Sequence, residues 1–338
     1  MITKSDLELI DKSGMHKIYD KWPEISLNSF NTNLESTDFR DIDHIIFSGM
    51  GGSGALGDVF SAILSKKNLH VSVIKGYLLP KTVDSNTLVV STSVSGNTLE
   101  TLSALNSAAD LDCKVIAFSS GGKMEDYCLK NNIEYRKIEQ YHSPRASFTS
   151  FLYSMLKILK NNLPIQTTEI KESINELEKL RKNIFSENLT ESNESLHLAK
   201  EIIGIPLLYY PWGLQAAAIR LKNSLQENSK IHVIAEDVIE SCHNGIVSWE
   251  LSSNVKPILI KGTDDYIKTK ERWKILNKYF NDKHIKFHEI NSIQGNILSK
   301  LINLIYLFDY ASIYKAVLSN VDPTPVSSID YIKKELEK

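Results

Sequence analysis

The sequence predicts an α/β protein made of two successive parallel-sheet units. Short apolar runs alternate with helix-length amphipathic segments through most of the 338 residues. That alternation is the signature of βαβ units whose sheet is covered by helices. Two strand-to-helix junctions in the first half are rich in glycine or serine. The second half then repeats the strand–helix order, which suggests a duplicated fold although the two halves share little sequence.

Taken in order, Met1 to Asp20 is charged throughout and has no apolar stretch, so it does not read as a signal peptide. Residues 1–30 form an N-terminal helical segment. Ile42 to Ser48, His70 to Lys75, Thr87 to Ser91, Lys114 to Ser119 and Ile133 to Ile138 read as strands. Helices fall near Ser53 to Ser65, Asn97 to Ala109, Lys123 to Lys130 and Ala146 to Asn161, completing a first domain over 31–165. From Gln166 to Glu201 the chain is rich in Glu, Lys, Asn and Ser, and Ile170, Ile174, Leu177 and Leu180 recur at helical spacing. One or two solvated amphipathic helices are expected there, as a linker over 166–200.

The second domain, 201–338, begins with a strand at Ile205 to Tyr210 and a helix from Leu214 to about Glu227. A short apolar run at Lys230 to Ile234 and a strand at Val255 to Lys261 follow. A helix from Asp264 to Phe280, a strand near Ile285 to Ile290 and a long helix from Gln294 to Leu318 complete the pattern. The most apolar run, Leu301 to Val317, is interrupted by Asn303 and Asp309 and reads as a buried helix rather than a membrane span.

The formal net charge of −2 provides no global field toward nucleic acid or an anionic membrane. A site for an anionic metabolite would need local positive ends of its own. The three cysteines, Cys113, Cys128 and Cys242, show no metal spacing and read as reduced thiols of a cytoplasmic protein. No HxH or paired His/Glu spacing offers a metal site.

The first turn, GMGGSG at Gly49 to Gly54, satisfies GxGxxG. Alone it would suit a dinucleotide, whose pyrophosphate sits on bare amides at a helix start. That reading expects an acidic residue about 20 positions on to hold the ribose. The second strand instead ends in Lys75 and Gly76, and the turn lacks the GK[ST] of a P-loop. A purely structural tight turn is equally compatible. The second turn, SVSGNT at Ser93 to Thr98, crowds three hydroxyls and a glycine at one helix start. Free amides, the helix's positive end and hydroxyl donors together suit a phosphomonoester without Lys or Arg. The bland alternative is a serine-rich N-cap with no ligand.

Together, GMGGS and S-x-SGNT resemble the sugar-isomerase (SIS) fold, and most closely the bifunctional phosphoglucose/phosphomannose isomerases. Four further islands match in order and spacing: PRA at Pro144 to Ala146, QENSK at Gln226 to Lys230, CHN at Cys242 to Asn244, and DPTPV with a late lysine at Asp322 to Lys333. The resemblance spans roughly residues 30 to 338. It implies two tandem flavodoxin-like SIS domains, each three-layer αβα, and a cofactor-free isomerase acting on hexose 6-phosphates. The phosphate would be held by Gly51, Gly52, Ser53, Ser93, Ser95 and Thr98.

An aldose–ketose isomerase must open the sugar ring, move a proton between C2 and C1, and stabilise the enediolate oxygens. Glu227 falls off the apolar stripe Leu214, Ala218, Leu221 and Leu225, and by itself reads as a surface glutamate near a helix end. The resemblance makes it the proton-transfer base. His243 is one of nine histidines; the resemblance assigns it to ring opening, contributed across a homodimer interface. His16, His44, His70, His142, His197, His232, His284 and His288 are read as structural or exposed. The pattern I-x-x-[IL]-K-x-x-L over Ile329, Ile332, Lys333 and Leu336 selects Lys333 as the lysine that assists ring opening, with Lys334 next by register. Arg145 would stabilise the enediolate, and Thr324 would shape the pocket that tolerates both C2 configurations.

Three departures from the resembled pattern bear on substrate preference. Val94 stands where an aromatic residue is frequent, Gly245 where an acidic residue is common, and the Gln166 to Glu201 stretch is longer than usual. The rival reading is a non-catalytic sugar-phosphate-binding SIS module. It would need the cradle but has no reason to retain Glu227, His243 and Lys333.

Overall fold

Strands β1 (His44–Ser48), β2 (His70–Ile74), β3 (Thr87–Thr92), β4 (Lys114–Ser119) and β5 (Glu134–Lys137) form one parallel sheet in the order β2-β1-β3-β4-β5. Both faces of its centre are covered: β1 and β3 are buried along their full length, which is why they read as continuous apolar runs. Strands β6 (Ile205–Tyr210), β7 (Ile234–Asp237), β8 (Val255–Lys261) and β9 (His288–Asn291) form a second parallel sheet in the order β7-β6-β8-β9. The second order repeats the first four strands of the first, without a counterpart of β5 among the described residues.

The helices are α1 (Lys4–Ile10), α2 (Met15–Asp20), α3 (Trp22–Phe30), α4 (Gly51–Leu64), α5 (Leu99–Ala109), α6 (Gly122–Lys130) and α7 (Phe148–Ile158). They continue as α8 (Thr167–Ile184), α9 (Glu194–Glu201), α10 (Gln215–Ser229), α11 (Val238–Ser241), α12 (Ile267–Asp282), α13 (Ile297–Leu318) and α14 (Ser327–Leu336). This computed structural model describes residues 2–336. Its contacts sort into two units. The first holds Lys21–Glu178 with Gly295–Ile302, and the second holds Met1–Asp20, Lys179–Gln294 and Asn303–Lys338.

Several elements begin or end away from the sequence expectation, each for a local reason. The run Lys230 to Ile234 is not a strand: Lys230 takes a left-handed conformation (φ 59°) as the C-cap of α10, and β7 starts only at Ile234. Helix α7 starts at Phe148 rather than Ala146 because the Ser147 hydroxyl donates to the carbonyls of Tyr141 and Ser143, each at 2.9 Å. Strand β9 starts at His288 because the Ile285 amide is spent closing α12, donating to the Phe280 carbonyl at 2.8 Å.

The N-terminal helices α1 and α2 count with the second unit, where buried tyrosines of α13 hold α2. Tyr306 donates to the Tyr19 carbonyl at 2.7 Å and Tyr310 to the His16 carbonyl at 3.1 Å. Helix α13 is long and apolar enough to cross a membrane by composition, yet 89% of its apolar window is buried inside the protein.

The charge that interrupts this helix has a specific partner. Arg220 of α10 donates from Nε to both oxygens of Asp309 at 3.1 Å and from a terminal nitrogen to Oδ2 at 2.6 Å. Ser224, one turn further along α10, donates to Oδ1 at 2.6 Å. Arg220 is 2% exposed and Asp309 fully buried. A buried guanidinium left without its carboxylate has no water to turn to. Asp309→Ala should therefore cost about 3–5 kcal/mol of stability. Denaturant unfolding with an unchanged midpoint would refute that expectation.

Candidate active site

In the first sheet the strand order reverses between β1 and β3. The connections from these two strands run to opposite sides and leave a crevice at their carboxyl ends. Both turns picked out in the sequence lie there: Gly49 to Ser53 leads from β1 into α4, and Ser93 to Thr98 leads from β3 into α5.

The loop after β4 fixes the second turn. Ser93 donates its amide to the Phe118 carbonyl at 3.0 Å, while the amides of Ser120 and Met124 reach the carbonyls of Val94 and Gly96, each at 2.9 Å. Gly96 has φ 71°, and a Cβ there would overlap the Gly121 carbonyl oxygen, so the two loops meet only because residue 96 has no side chain.

The hydroxyls interlock. The Val94 amide donates to Ser53 Oγ at 3.2 Å, Ser93 Oγ donates to Thr98 Oγ1 at 2.9 Å, and the Asn97 amide donates to Ser95 Oγ at 3.3 Å. Ser53, Ser95 and Thr98 thus each accept one hydrogen bond, and among the described residues their own hydroxyl hydrogens have no acceptor. Thr98 is the N-cap residue of α5 yet makes no side-chain capping bond to that helix. Three O–H donors beside the positive end of an 11-residue helix form a cage suited to an anion.

Arg145 belongs to the same edge of the first unit. Its segment follows β5 and lies against the first turn: a Cβ on Gly52 would sit 3.5 Å from the Arg145 Cα. The Trp22 indole donates to the neighbouring Ala146 carbonyl at 2.9 Å and anchors the segment to α3. Arg145 itself is 6% exposed.

The second unit holds the other candidates, at two different ends of its sheet. Helix α10 leaves the carboxyl end of β6 and returns to the amino end, a rise of about 18 Å from Gln215 to Glu227 at 1.5 Å per residue. Glu227 is half-buried there. Its neighbours are tightly held: Asn228 donates to the Ser312 hydroxyl at 2.8 Å and Ser229 to the Ser312 carbonyl at 2.7 Å. The Lys230 ammonium donates to the Glu227 carbonyl and to the Pro323 carbonyl, the latter at 3.4 Å. Lys230 therefore joins the QENSK and DPTPV islands and brings the Thr324 segment to the Glu227 end.

His243 lies at the opposite end, beyond the carboxyl end of β7, and is exposed. The structure does not bring it beside Glu227 within one chain. Lys333 and Lys334 both project from α14, a helix without a buried residue.

Two further residues hold the Glu227 end of α10. Lys230, in a left-handed conformation at the cap, reaches the Pro323 carbonyl with its ammonium. Arg220 lies seven residues, about two turns, before Glu227 on the same helix. Burial opposes its charge, but Asp309 overrides this and, with Tyr19 and Glu227, holds the guanidinium more firmly protonated than usual. The signal was present in the sequence: a lone Asp309 inside an apolar helix calls for a buried cation.

Residues 38–156 match the SIS domain family, and residues 191–336 match the bacterial phospho-glucose isomerase C-terminal SIS domain family. A bifunctional phosphoglucose/phosphomannose isomerase of Caldicellulosiruptor bescii is 33% identical over 88% of this chain and 90% of its own length. One from Aquifex aeolicus is 30% identical over 96% and 99%. The chain belongs to the bifunctional phosphoglucose/phosphomannose isomerase family. The C-terminal domain of glucosamine-fructose-6-phosphate aminotransferase from Francisella tularensis shares the SIS fold, with a TM-score of 0.67 at 17% identity over 91% of this chain and 96% of that one. Two SIS domains account for both parallel sheets of this isomerase-family chain.

The glycine at 96 gives a direct test of how the hydroxyl cage of the first unit is held. Gly96→Ala should push the Ser93 to Thr98 turn off the loop after β4 while the sheets remain folded. In hydrogen exchange the amides of Ser120 and Met124 should lose protection. Unchanged exchange at both would mean that the turn does not depend on that close approach.

Proposed function

We propose that the hydroxyl cage of Ser53, Ser93, Ser95 and Thr98, with the amides of Gly51 and Gly52, holds the phosphate of a hexose 6-phosphate. The chain is a phosphosugar isomerase that interconverts glucose 6-phosphate and mannose 6-phosphate with fructose 6-phosphate. The observation that carries the cage assignment is the set of three hydroxyl hydrogens without acceptors at the strand-order reversal. A dianion supplies the acceptors they lack.

With the phosphate fixed, the remaining groups act at the sugar's other end. The Glu227 carboxylate takes the C2 proton and returns it to C1. Arg145 stabilises the negative charge that develops on the enediolate oxygens. Lys333, or Lys334 beside it, and His243 move the proton between the ring oxygen and the C1 hydroxyl in ring opening. Thr324 contacts the region of C2 and bears on the choice between the two epimers.

The opposite placement of Glu227 and His243 on the second sheet favours a homodimer in which each His243 serves the partner subunit's Glu227. The exposure of His243 supports the same reading, because a ring meant for another chain has to project from its own. We place this dimer in the cytoplasm, consistent with three unpaired cysteines.

Two experiments test these roles. Glu227→Gln removes the base and keeps the shape. It should abolish fructose 6-phosphate formation while phosphosugar binding by calorimetry is retained. Turnover at the wild-type rate would remove Glu227 from the mechanism and leave a sugar-phosphate-binding module as the better account. Mixing and reassociating E227Q chains with H243A chains should restore activity, because half of the mixed dimers' sites then combine two intact residues. Random pairing gives about a quarter of the wild-type rate. No recovery above the separate variants would exclude a His243 shared across the interface.

A further inference from the structure

The segment that carries His243 is tied down on both sides. Before it, Asp237 caps α11, its Oδ1 accepting from the amides of Ile239 and Glu240 at 2.7 and 3.1 Å. After it, the buried Trp249 donates its indole N–H to the Tyr209 hydroxyl at 2.8 Å. Between these anchors a 3-10 turn, Gly245–Glu250, opens on a glycine. A Cβ at residue 245 would lie 2.5 Å from Oε2 of Glu236 and 3.4 Å from its carboxyl carbon. The Glu236 carboxyl group fills the space that a side chain at 245 would take.

Sheet register explains how Glu236 reaches this place. It stands opposite Tyr209 in the parallel pairing of β6 and β7, so the two side chains rise on one face, beneath the turn that Trp249 closes. Oε2 of Glu236 is buried and has no hydrogen-bond partner among the described residues. Burial also raises the carboxyl pKa. Glu236 is half-buried as a whole, so the desolvation cost falls on Oε2, and an apolar side chain of the same size would avoid it. Within the loop the amides of His243 and Asn244 donate to the carbonyls of Glu240 and Ser241 at 2.9 and 3.3 Å, and the Ser248 hydroxyl donates to the Gly245 carbonyl at 2.7 Å; none of these contacts comes from the sheet beneath. Asn244 is occupied locally, accepting from the Gly245 amide at 2.6 Å and donating to Glu240 at 2.7 Å.

We propose that Glu236 is a positioning residue for His243: its carboxyl group props the backbone at Gly245 and so sets the direction in which His243, two residues earlier, leaves the sheet edge. Gly245 is its necessary complement, because any side chain there would displace the carboxyl group. The inference rests on the ring-opening role proposed above for His243.

The test compares kcat and KM on glucose 6-phosphate for E236A, E236Q, G245A, H243A and the E236A/H243A double variant, with thermal melting as a check on folding. E236A should lower kcat about tenfold, the scale of a small misplacement of a reacting group, with KM little changed. E236Q keeps the shape and should retain most of the rate. G245A should reproduce the E236A loss at little cost in stability, because the atom its methyl meets is the movable end of the Glu236 side chain. In the H243A background E236A should add no further loss.

A wild-type kcat in E236A beside an impaired H243A overturns the positioning role alone, as do additive losses in the double variant. A wild-type rate in H243A removes the ring-opening role and the proposal with it. If E236A does not fold, G245A decides: a wild-type kcat in that variant overturns the proposal.

Discussion

A parallel strand cannot reach its neighbour without first crossing back along the sheet, and that constraint sorts the functional candidates that lie between strands. Loops that follow strands gather at one edge; helix ends that precede strands gather at the other. In the first unit Gly49–Ser53, Ser93–Thr98 and Pro144–Arg145 all follow strands and share an edge without any long-range contact being specified. In the second unit Glu227 ends a returning helix and His243 follows a strand. Their separation is a property of the crossover, and no side-chain rotation can close it.

What the crossover places, buried polar contacts then hold still. The end of α10 is pinned by Asn228, Ser229 and the Arg220–Asp309 pair, and its backbone carbonyl at Glu227 is taken by Lys230. The hydroxyl cage is likewise fixed by amides drawn from the β4 loop rather than by its own helix. In the cage this leaves the hydroxyl hydrogens of Ser53, Ser95 and Thr98 without acceptors among the described residues. The cost is a set of buried polar groups that must each find a partner.

Fold class was legible because it rests on runs of residues. The apolar strands and amphipathic helices survive errors of a few positions, and boundaries moved by a few residues, as at Lys230, Ser147 and Ile285. The cage was legible as composition, three hydroxyls and a glycine at one helix start, but not as geometry. Nothing in SVSGNT states that Ser53 receives the Val94 amide or that Gly121 fills the space beside Gly96. Residues that act through distant partners were the least visible. Glu236 is an ordinary glutamate at the end of a short strand until the turn 245–250 is folded over it. Gly245, noted in the sequence only as a departure, acquires a physical reason from that same contact.

The division of the chain into its units also bears on how the protein is made. The first sheet is complete in sequence by Lys137, yet Gly295–Ile302 also belongs to that unit, where Asn296 donates to Glu172 at 2.9 Å. The second unit in turn includes α1 and α2, of which α2 is held by tyrosines near residue 310. Neither unit can be finished while the ribosome is still short of α13. A nascent chain must therefore carry two incomplete cores until α13 emerges, and cutting the gene between the sheets would leave each fragment without a piece of itself.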